Sequence, residues 1–441
     1  MASRIVELHK KISANPFNKI AVVLLRIIVG ATFTVSGFVK AIDPMGTVYK
    51  LQEYFAALDF TSLAGSEVVL AFALPAIELT LGVMLITGCL RRLTPLLLLL
   101  MMCVMLPLTF FLATTDAVPD CGCFGDAFKL TNWQTFWKNV ALTVGLLYLL
   151  FQNKSVPCIY GPVVQWIVMI LTMVLSLGIS YIGYNTQPLL DFRPYKVGSH
   201  IGSKLQPVGE DDFVFIYEKE GKQKEFVLDS VPDEEDGWNF VGRKKVTPDL
   251  SLAQKAALNA VSIYEEGNDV TEEVLDSTAN QMLLLIPDME KVNRAYAFVL
   301  NDLAKSCENK GATFSAVTSA GHSQIEDWIS LTSPTYPIYN GDDSEIKMLA
   351  RGNPAIVYVE HGTIMWKRTF SSLPAKKLLT STVPLAHLSD DIAPSFQLWE
   401  LLWPYILIMI ALLFVNRLYP VVNFIVDKFR KKGDEDENNN R

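Results

Sequence analysis

Charge and histidine are scarce in this chain. Only 19% of its 441 residues are charged and five are histidine, while 50% are hydrophobic. The mean hydropathy is +0.27. So little charge over such a length argues against an ordinary soluble protein and gives a membrane profile. With a net charge of −8, no nucleic-acid partner is expected. Internal repeats, Ser- and Thr-rich spacers and lipidation motifs are missing. No cleavable signal peptide is expected, because the first apolar run is too long and lacks a clear cleavage site.

What is present is a series of long apolar runs: Ile20–Phe38, Val68–Gly88, Pro95–Ala113, Phe136–Phe151, Pro162–Tyr184 and Leu398–Val415. Each is near the about 20 residues that a spanning helix needs, so six spans are expected. The fourth is the shortest and carries Lys138, read as a lysine that snorkels to the interface. Basic residues gather on one side of these spans: His9, Lys10, Lys11 and Lys19 before the first, Arg91 and Arg92 after the second, Lys154 after the fourth, and Arg417, Lys428, Arg430, Lys431 and Lys432 after the sixth. That bias predicts both termini in the cytoplasm of an inner-membrane protein. The turn around Cys121 and the long segment from Asn185 to Gln397 then lie outside, in the periplasm.

Cysteine is also scarce, at six residues, and its placement is uneven. Cys89, Cys103 and Cys158 fall in the membrane or on its inner side; Cys121, Cys123 and Cys307 fall outside. The stretch Cys121-Gly122-Cys123-Phe124-Gly125 puts two thiols one residue apart on a turn. That spacing keeps the Cα atoms within the roughly 4.4–6.8 Å a disulfide tolerates, and Gly122 relaxes the small ring. Three readings stay open: an exchangeable disulfide, an inert staple and part of a metal site. No histidine is near the turn in sequence, so no metal is expected.

Two ionisable residues sit within the spans, Arg26 in the first and Glu78 in the second. Intramembrane charges are usually paired, so these two are expected to meet between antiparallel helices. The functional alternative is a polar anchor for a quinone headgroup or a proton path. In Ser36-Gly37-Phe38-Val39-Lys40-Ala41-Ile42-Asp43-Pro44, Lys40 and Asp43 are expected at the outer end of the first helix, level with the cysteine turn. Pro75 and Pro107 are expected to kink their helices.

An Arg in the first helix, Ser-Gly-x-x-Lys after it, a Glu in the second and Cys-Gly-Cys-Phe-Gly before the fourth together resemble the DoxX/MauE family of redox-associated membrane proteins, over about Ile20 to Phe151. The resemblance implies a four-helix unit similar in layout to quinone-linked disulfide oxidoreductases. It implies the handling of thiols or electrons outside the membrane through Cys121 and Cys123, with Lys40, Glu78 and Arg26 as candidate quinone-binding residues. It does not imply methylamine as a substrate.

The outer segment reads differently. Phe213–Tyr217 and Glu225–Leu228 flank the turn Lys219–Lys222 and suggest a hairpin. Asp233–Asp236 reads as a solvated acidic loop. Met282–Ile286, a helix over Lys291–Cys307, Thr313–Thr318 and a helix over Ser323–Leu331 alternate, which predicts a parallel sheet. Asn353-Pro354 then precedes Ala355–Val359 and the strand Thr363–Lys367. This order resembles a thioredoxin-like fold, in which the matching proline is commonly cis. The redox Cys-x-x-Cys is absent: its position holds Pro287–Asn293, and Cys307 is expected to be a buried structural thiol.

The expected fold class is therefore an α-helical membrane protein, a four-helix DoxX/MauE-like bundle plus two further spans, with an α/β thioredoxin-like extracytoplasmic domain. The expected divisions are 1–160 for the bundle, 161–185 for span five, 186–275 for a β-rich segment, 276–385 for the thioredoxin-like part, 396–420 for span six and 421–441 for a basic amphipathic stretch and polar tail. As a whole this resembles fused DoxX-like and thioredoxin-like proteins of Bacteroidetes. Two functions from different classes follow. One is a quinone-linked oxidoreductase subunit acting on a periplasmic thiol protein; the other is a non-catalytic assembly factor that binds a client.

Overall fold

In the computed structural model, residues 16–63, 65–118, 120–152, 157–201, 213–219, 222–226, 239–245, 261–275, 278–373, 384–387 and 397–418 are described. They divide between two compact units, Met1–Phe192 with Asp391–Arg441, and Arg193–Asp390. The acidic run Asp233–Asp236, the basic stretch Val421–Lys432 and the residues His9, Lys10, Lys11 and Lys154 lie outside the described residues.

The first unit is helical: α1 Pro16–Ile42, α2 Pro44–Ala57, α3 Glu67–Thr87, α4 Leu93–Thr115, α5 Asn132–Phe151, α6 Pro162–Asn185 and α10 Gln397–Leu418. Five of these, α1, α3, α4, α6 and α10, are long and apolar enough to cross a membrane. The fourth expected span, α5, falls short of that hydropathy for a visible reason. Its inward face carries Asn132, Thr135 and Asn139, while Trp133, Trp137, Val144, Leu147 and Phe151 point outward. The polar residues that lower its average are spent inside the bundle, where Asn139 donates to Thr109 Oγ1 of α4 at 3.3 Å.

Local sequence sets the helix ends. Asp43 stops α1 and caps α2, its carboxylate accepting from the Gly46 backbone at 2.8 Å, with Pro44 as the first helical residue. Thr131 and Gln134 form a capping box at the start of α5. Pro75 and Pro107 lie inside α3 and α4. Between α1 and α3 the backbones touch: a Cβ on Gly37 would stand 2.4 Å from the Leu79 nitrogen. Small residues at such crossings let two membrane helices pack closely. Here that closeness brings the polar residues of α1 within reach of Glu78.

The second unit holds two sheets. The strands β1 Phe213–Lys219, β2 Lys222–Phe226 and β3 Asn239–Lys245 form an antiparallel sheet in the order β2-β1-β3, so the expected hairpin is present as β1 and β2. The larger sheet is mixed and runs β10-β9-β6-β7-β8-β4-β5. Its strands are β4 Ile263–Glu265, β5 Asn268–Asp269, β6 Asn280–Ile286, β7 Ala312–Thr318, β8 Ile338–Gly341, β9 Ala355–Glu360 and β10 Thr363–Thr369. The helices are α7 Tyr296–Asn309, α8 His322–Thr332 and α9 Asp343–Leu349. As expected from the alternation, β6 and β7 are parallel.

Met282, Leu284 and Ile286 of β6 face one core with Leu300 and Leu303 of α7; Leu283 and Leu285 face the other with Ile346 and Leu349 of α9. Burial on both faces explains the unbroken apolar run. The Asn353–Pro354 bond ahead of β9 is cis. Helix α7 starts at Tyr296 rather than at the expected Lys291, because turns around Met289–Asn293 precede it. Cys307 is fully buried, 3.6 Å from Met282 Sδ, as expected of a structural thiol. Burial pushes that thiol up to about 12.

Candidate functional site

The cysteine turn sits at the end of the bundle where α1 meets α2 and α4 meets α5. Leu112 and Val118 pack against Cys121, and Tyr54 and Phe111 lie beside them. Gly122 takes φ +62°, a left-handed conformation that suits glycine, and a Cβ there would press on the Lys50 side chain at 2.8 Å. Its backbone N–H donates to Asp120 Oδ1 at 2.9 Å, and Gly125 N–H closes the turn on Gly122 O at 3.0 Å. Cys121 is 6% exposed and Cys123 is partly exposed. The two sulfurs stand 2.9 Å apart, close enough for one thiol to donate to the other.

Two helices hold the cysteine backbone. Tyr54 of α2 donates its hydroxyl to Cys121 O. Ser36 of α1 lies 2.7 Å from Cys123 O and 2.8 Å from Glu78 Oε2, and Lys40 Nζ lies 2.6 Å from Glu78 Oε1. The Ser36 hydroxyl has one proton for two acceptors. It therefore bonds either the cysteine turn or Glu78 at one time. From α5, Lys138 Nζ rests 4.5 Å from the centre of the Phe124 ring, a cation–π contact.

Charge around the pair is unequal. The hydrogen bond from Cys121 lowers the Cys123 thiol to about 6 against the opposing effect of burial, and Lys138 and Lys40 add to the lowering. Cys121 is pushed up, first by giving that hydrogen bond and then by burial. The arrangement is that of a dithiol sharing one proton near neutral pH, with the negative charge on Cys123. Burial pushes the Tyr54 phenol up as well, so it remains a donor.

Of the expected site residues, the structure gathers Cys121, Cys123, Lys40 and Glu78. Arg26 is not among them, which corrects the expected Arg26–Glu78 pair. Lys40, not Arg26, meets Glu78; Arg26 lies about 21 Å lower on α1 at roughly 1.5 Å per residue. There its Nη1 donates to Pro157 O at 2.6 Å. Three contributors escaped the sequence reading as site residues: Ser36, which appeared only within the Ser-Gly-x-x-Lys stretch, Tyr54 and Lys138. Tyr54 left no pattern to find, whereas Lys138 stood out as the charge at the end of its span, the signal that was read as snorkelling. Among the described residues no cluster of three or more His, Cys, Asp or Glu could hold a metal.

Residues 18–152 match the family model described as methylamine utilisation protein MauE. Residues 212–247 match a model described as a domain of unknown function. No curated protein and no solved structure matches. The first match spans α1 to α5 and so contains every residue of the site; that part of the chain is similar to MauE, and the apolar helices make the chain a multi-pass membrane protein.

Proposed function

We propose that this is a membrane accessory protein for maturation of an extracytoplasmic client, and that it exchanges disulfides through Cys121 and Cys123. The observation that carries this is the 2.9 Å sulfur pair with Cys123 held as the readier thiolate by Cys121, Lys138 and Lys40. A static staple has no use for an acidified sulfur beside two lysines. In the oxidising direction a client thiolate attacks Sγ of Cys123 in the Cys121–Cys123 disulfide, and Cys121 leaves as a thiolate. The second client thiol then displaces Cys123, and the client leaves with a disulfide while the site keeps two electrons and one proton, the other proton passing to solvent.

Returning the site to its oxidised form needs a two-electron acceptor. A membrane quinone suits the position, taking both electrons and two protons, one from the site and one from solvent, to become a quinol, with Lys40, Glu78 and Ser36 beneath Cys123 as the polar path for protons. The basic residues Lys19, Arg91, Arg92 and Arg417 support an orientation with those ends in the cytoplasm and the cysteine turn in the periplasm, α5 acting as a further span. The second unit, whose sheet order supports a thioredoxin-like reading, has no cysteine between β6 and α7. That absence suits docking of the client rather than electron transfer. The printed family name refers to methylamine utilisation, and nothing in these residues encodes that substrate.

The Cys121→Ser variant tests the exchange. Cys123 should then hold a client as a mixed disulfide that dithiothreitol releases, and Cys123→Ser should hold none. If Cys121→Ser captures nothing while Cys123 still reacts with iodoacetamide, the exchange reading fails.

A further inference from the structure

The membrane unit carries a second pair of thiols, which the exchange above does not use. Cys89 stands on the turn between α3 and α4, and Cys158 precedes α6. Ile159 N–H donates to Thr87 O at 3.2 Å, which fastens the segment ahead of α6 to the end of α3. The two cysteines flank a close backbone approach, since a Cβ on Gly88 would stand 2.3 Å from Pro157 O and 2.7 Å from Arg26 Nη1. The Thr87 hydroxyl is 3.2 Å from Cys89 Sγ, and the Cys158 thiol donates to Tyr160 O at 3.0 Å. Cys89 is buried and Cys158 is exposed.

Arg26 stands beside this pair. Its side chain is nine-tenths or more buried, at 4% exposure, and its one hydrogen bond among the described residues is to the neutral Pro157 O. Its Nε is buried without a partner among the described residues. Both thiols lie close enough to act on its charge. A buried guanidinium without a counter-charge is costly, and the anion this site can generate is a thiolate. The same proximity favours that thiolate as a nucleophile.

We propose that Cys89, Cys158 and Arg26 form a second redox site, which takes a small disulfide of the glutathione class and closes into a reversible Cys89–Cys158 bond. The exposed Cys158 thiolate attacks one sulfur of the small disulfide; that S–S bond breaks and the first thiol leaves with a proton. Cys89 then attacks Sγ of Cys158 beside Arg26, and its proton leaves with the second thiol. Two electrons and two protons pass to the small disulfide, which becomes two thiols. Burial pushes the Cys89 thiol up to about 11, with the Thr87 hydroxyl and then Arg26 opposing the rise, so Cys89 rests as a thiol and gives up its proton as it attacks. The closed bond would join the α3–α4 turn to the segment before α6. Because Arg26 lies about 21 Å from Lys40 along α1, this site acts independently of the Cys121–Cys123 turn.

The full-length protein in membranes is treated with oxidised glutathione, alkylated, digested and mapped by mass. A peptide linked through Cys89 and Cys158 is expected in the wild type and in a Cys121→Ser/Cys123→Ser background. The Cys89→Ser variant should stop at a stable glutathione adduct on Cys158. Arg26→Gln should slow closure about tenfold, the change for one pKa unit in the attacking thiol, and Arg26→Lys should restore most of it. Free alkylation of both Cys89 and Cys158 in the treated wild type, with no linked peptide, would overturn the proposal. So would closure at the wild-type rate in Arg26→Gln.

Discussion

At the residue scale, the site depends on which side chains share a depth in the bundle. Cys123, lowered to about 6, is a thiolate at neutral pH and gains its proton as the pH falls through that value. Its alkylation rate should therefore be flat above about pH 7 and fall about tenfold per unit below about pH 6. Lys138→Met should move this midpoint upward, as loss of a nearby cation does. Mass-resolved iodoacetamide labelling measures both, and a wild-type midpoint near the ordinary thiol value of about 8.5 would show that these neighbours do not act. The Lys40–Glu78 pair makes a separate demand. Lys40→Met or Glu78→Gln alone leaves a buried charge unmatched and should cost about 3–5 kcal/mol, while the double variant should recover much of it in a thermal melt.

Residue identities alone marked Cys121, Cys123, Lys40 and Glu78, because chemistry-bearing residues stand out in apolar surroundings. They did not fix who pairs with whom. Both Arg26 and Lys40 lie on α1, and the choice between them is made by the Gly37 contact that sets the offset of α1 against α3. That offset is a property of two surfaces, so one segment read by itself does not contain it.

At the element scale, the close crossing of α1 and α3 is what presents Ser36 and Lys40 to Glu78. Gly37→Val would drive a side chain into the backbone at Leu79, so it should lower stability by about 1–3 kcal/mol. By displacing Lys40 it should also move the Cys123 midpoint upward, read in the labelling profile. Thr131→Ala removes half of the capping box that starts α5, the helix bearing Lys138, at a cost of about 1 kcal/mol. Helices α1, α3 and α4 were legible because their apolar runs are long and interrupted at most once by charge. Helix α5 was less so, because Asn132, Thr135 and Asn139 are buried in its first half and lower the average of a helix whose second half buries Leu142, Leu146 and Leu149. Strand β8 went unread: Ile338–Gly341 is four residues long, half-buried and joined to α9 by a single capping Asp342, too short for any period to register.

At the scale of the whole molecule, a bundle of apolar helices carries the dithiol, and a separate α/β unit lacks one of its own where a thioredoxin-like fold would place it. Unit boundaries at Phe192 and Asp390 follow the change from apolar helices to sheet, which composition made visible. The proposed orientation has a direct readout. In intact spheroplasts a membrane-impermeant maleimide should leave Cys158 unlabelled, although it is exposed, and permeabilisation should reveal it; labelling before permeabilisation would invert the assignment. The most direct test of the central claim is the redox state of Cys121 and Cys123 in living cells, trapped by acid quenching and differential alkylation with the quinone pool intact and then depleted. The account predicts a disulfide with the pool intact and an accumulating dithiol when it is depleted; a pair that stays in one state under both conditions would contradict it.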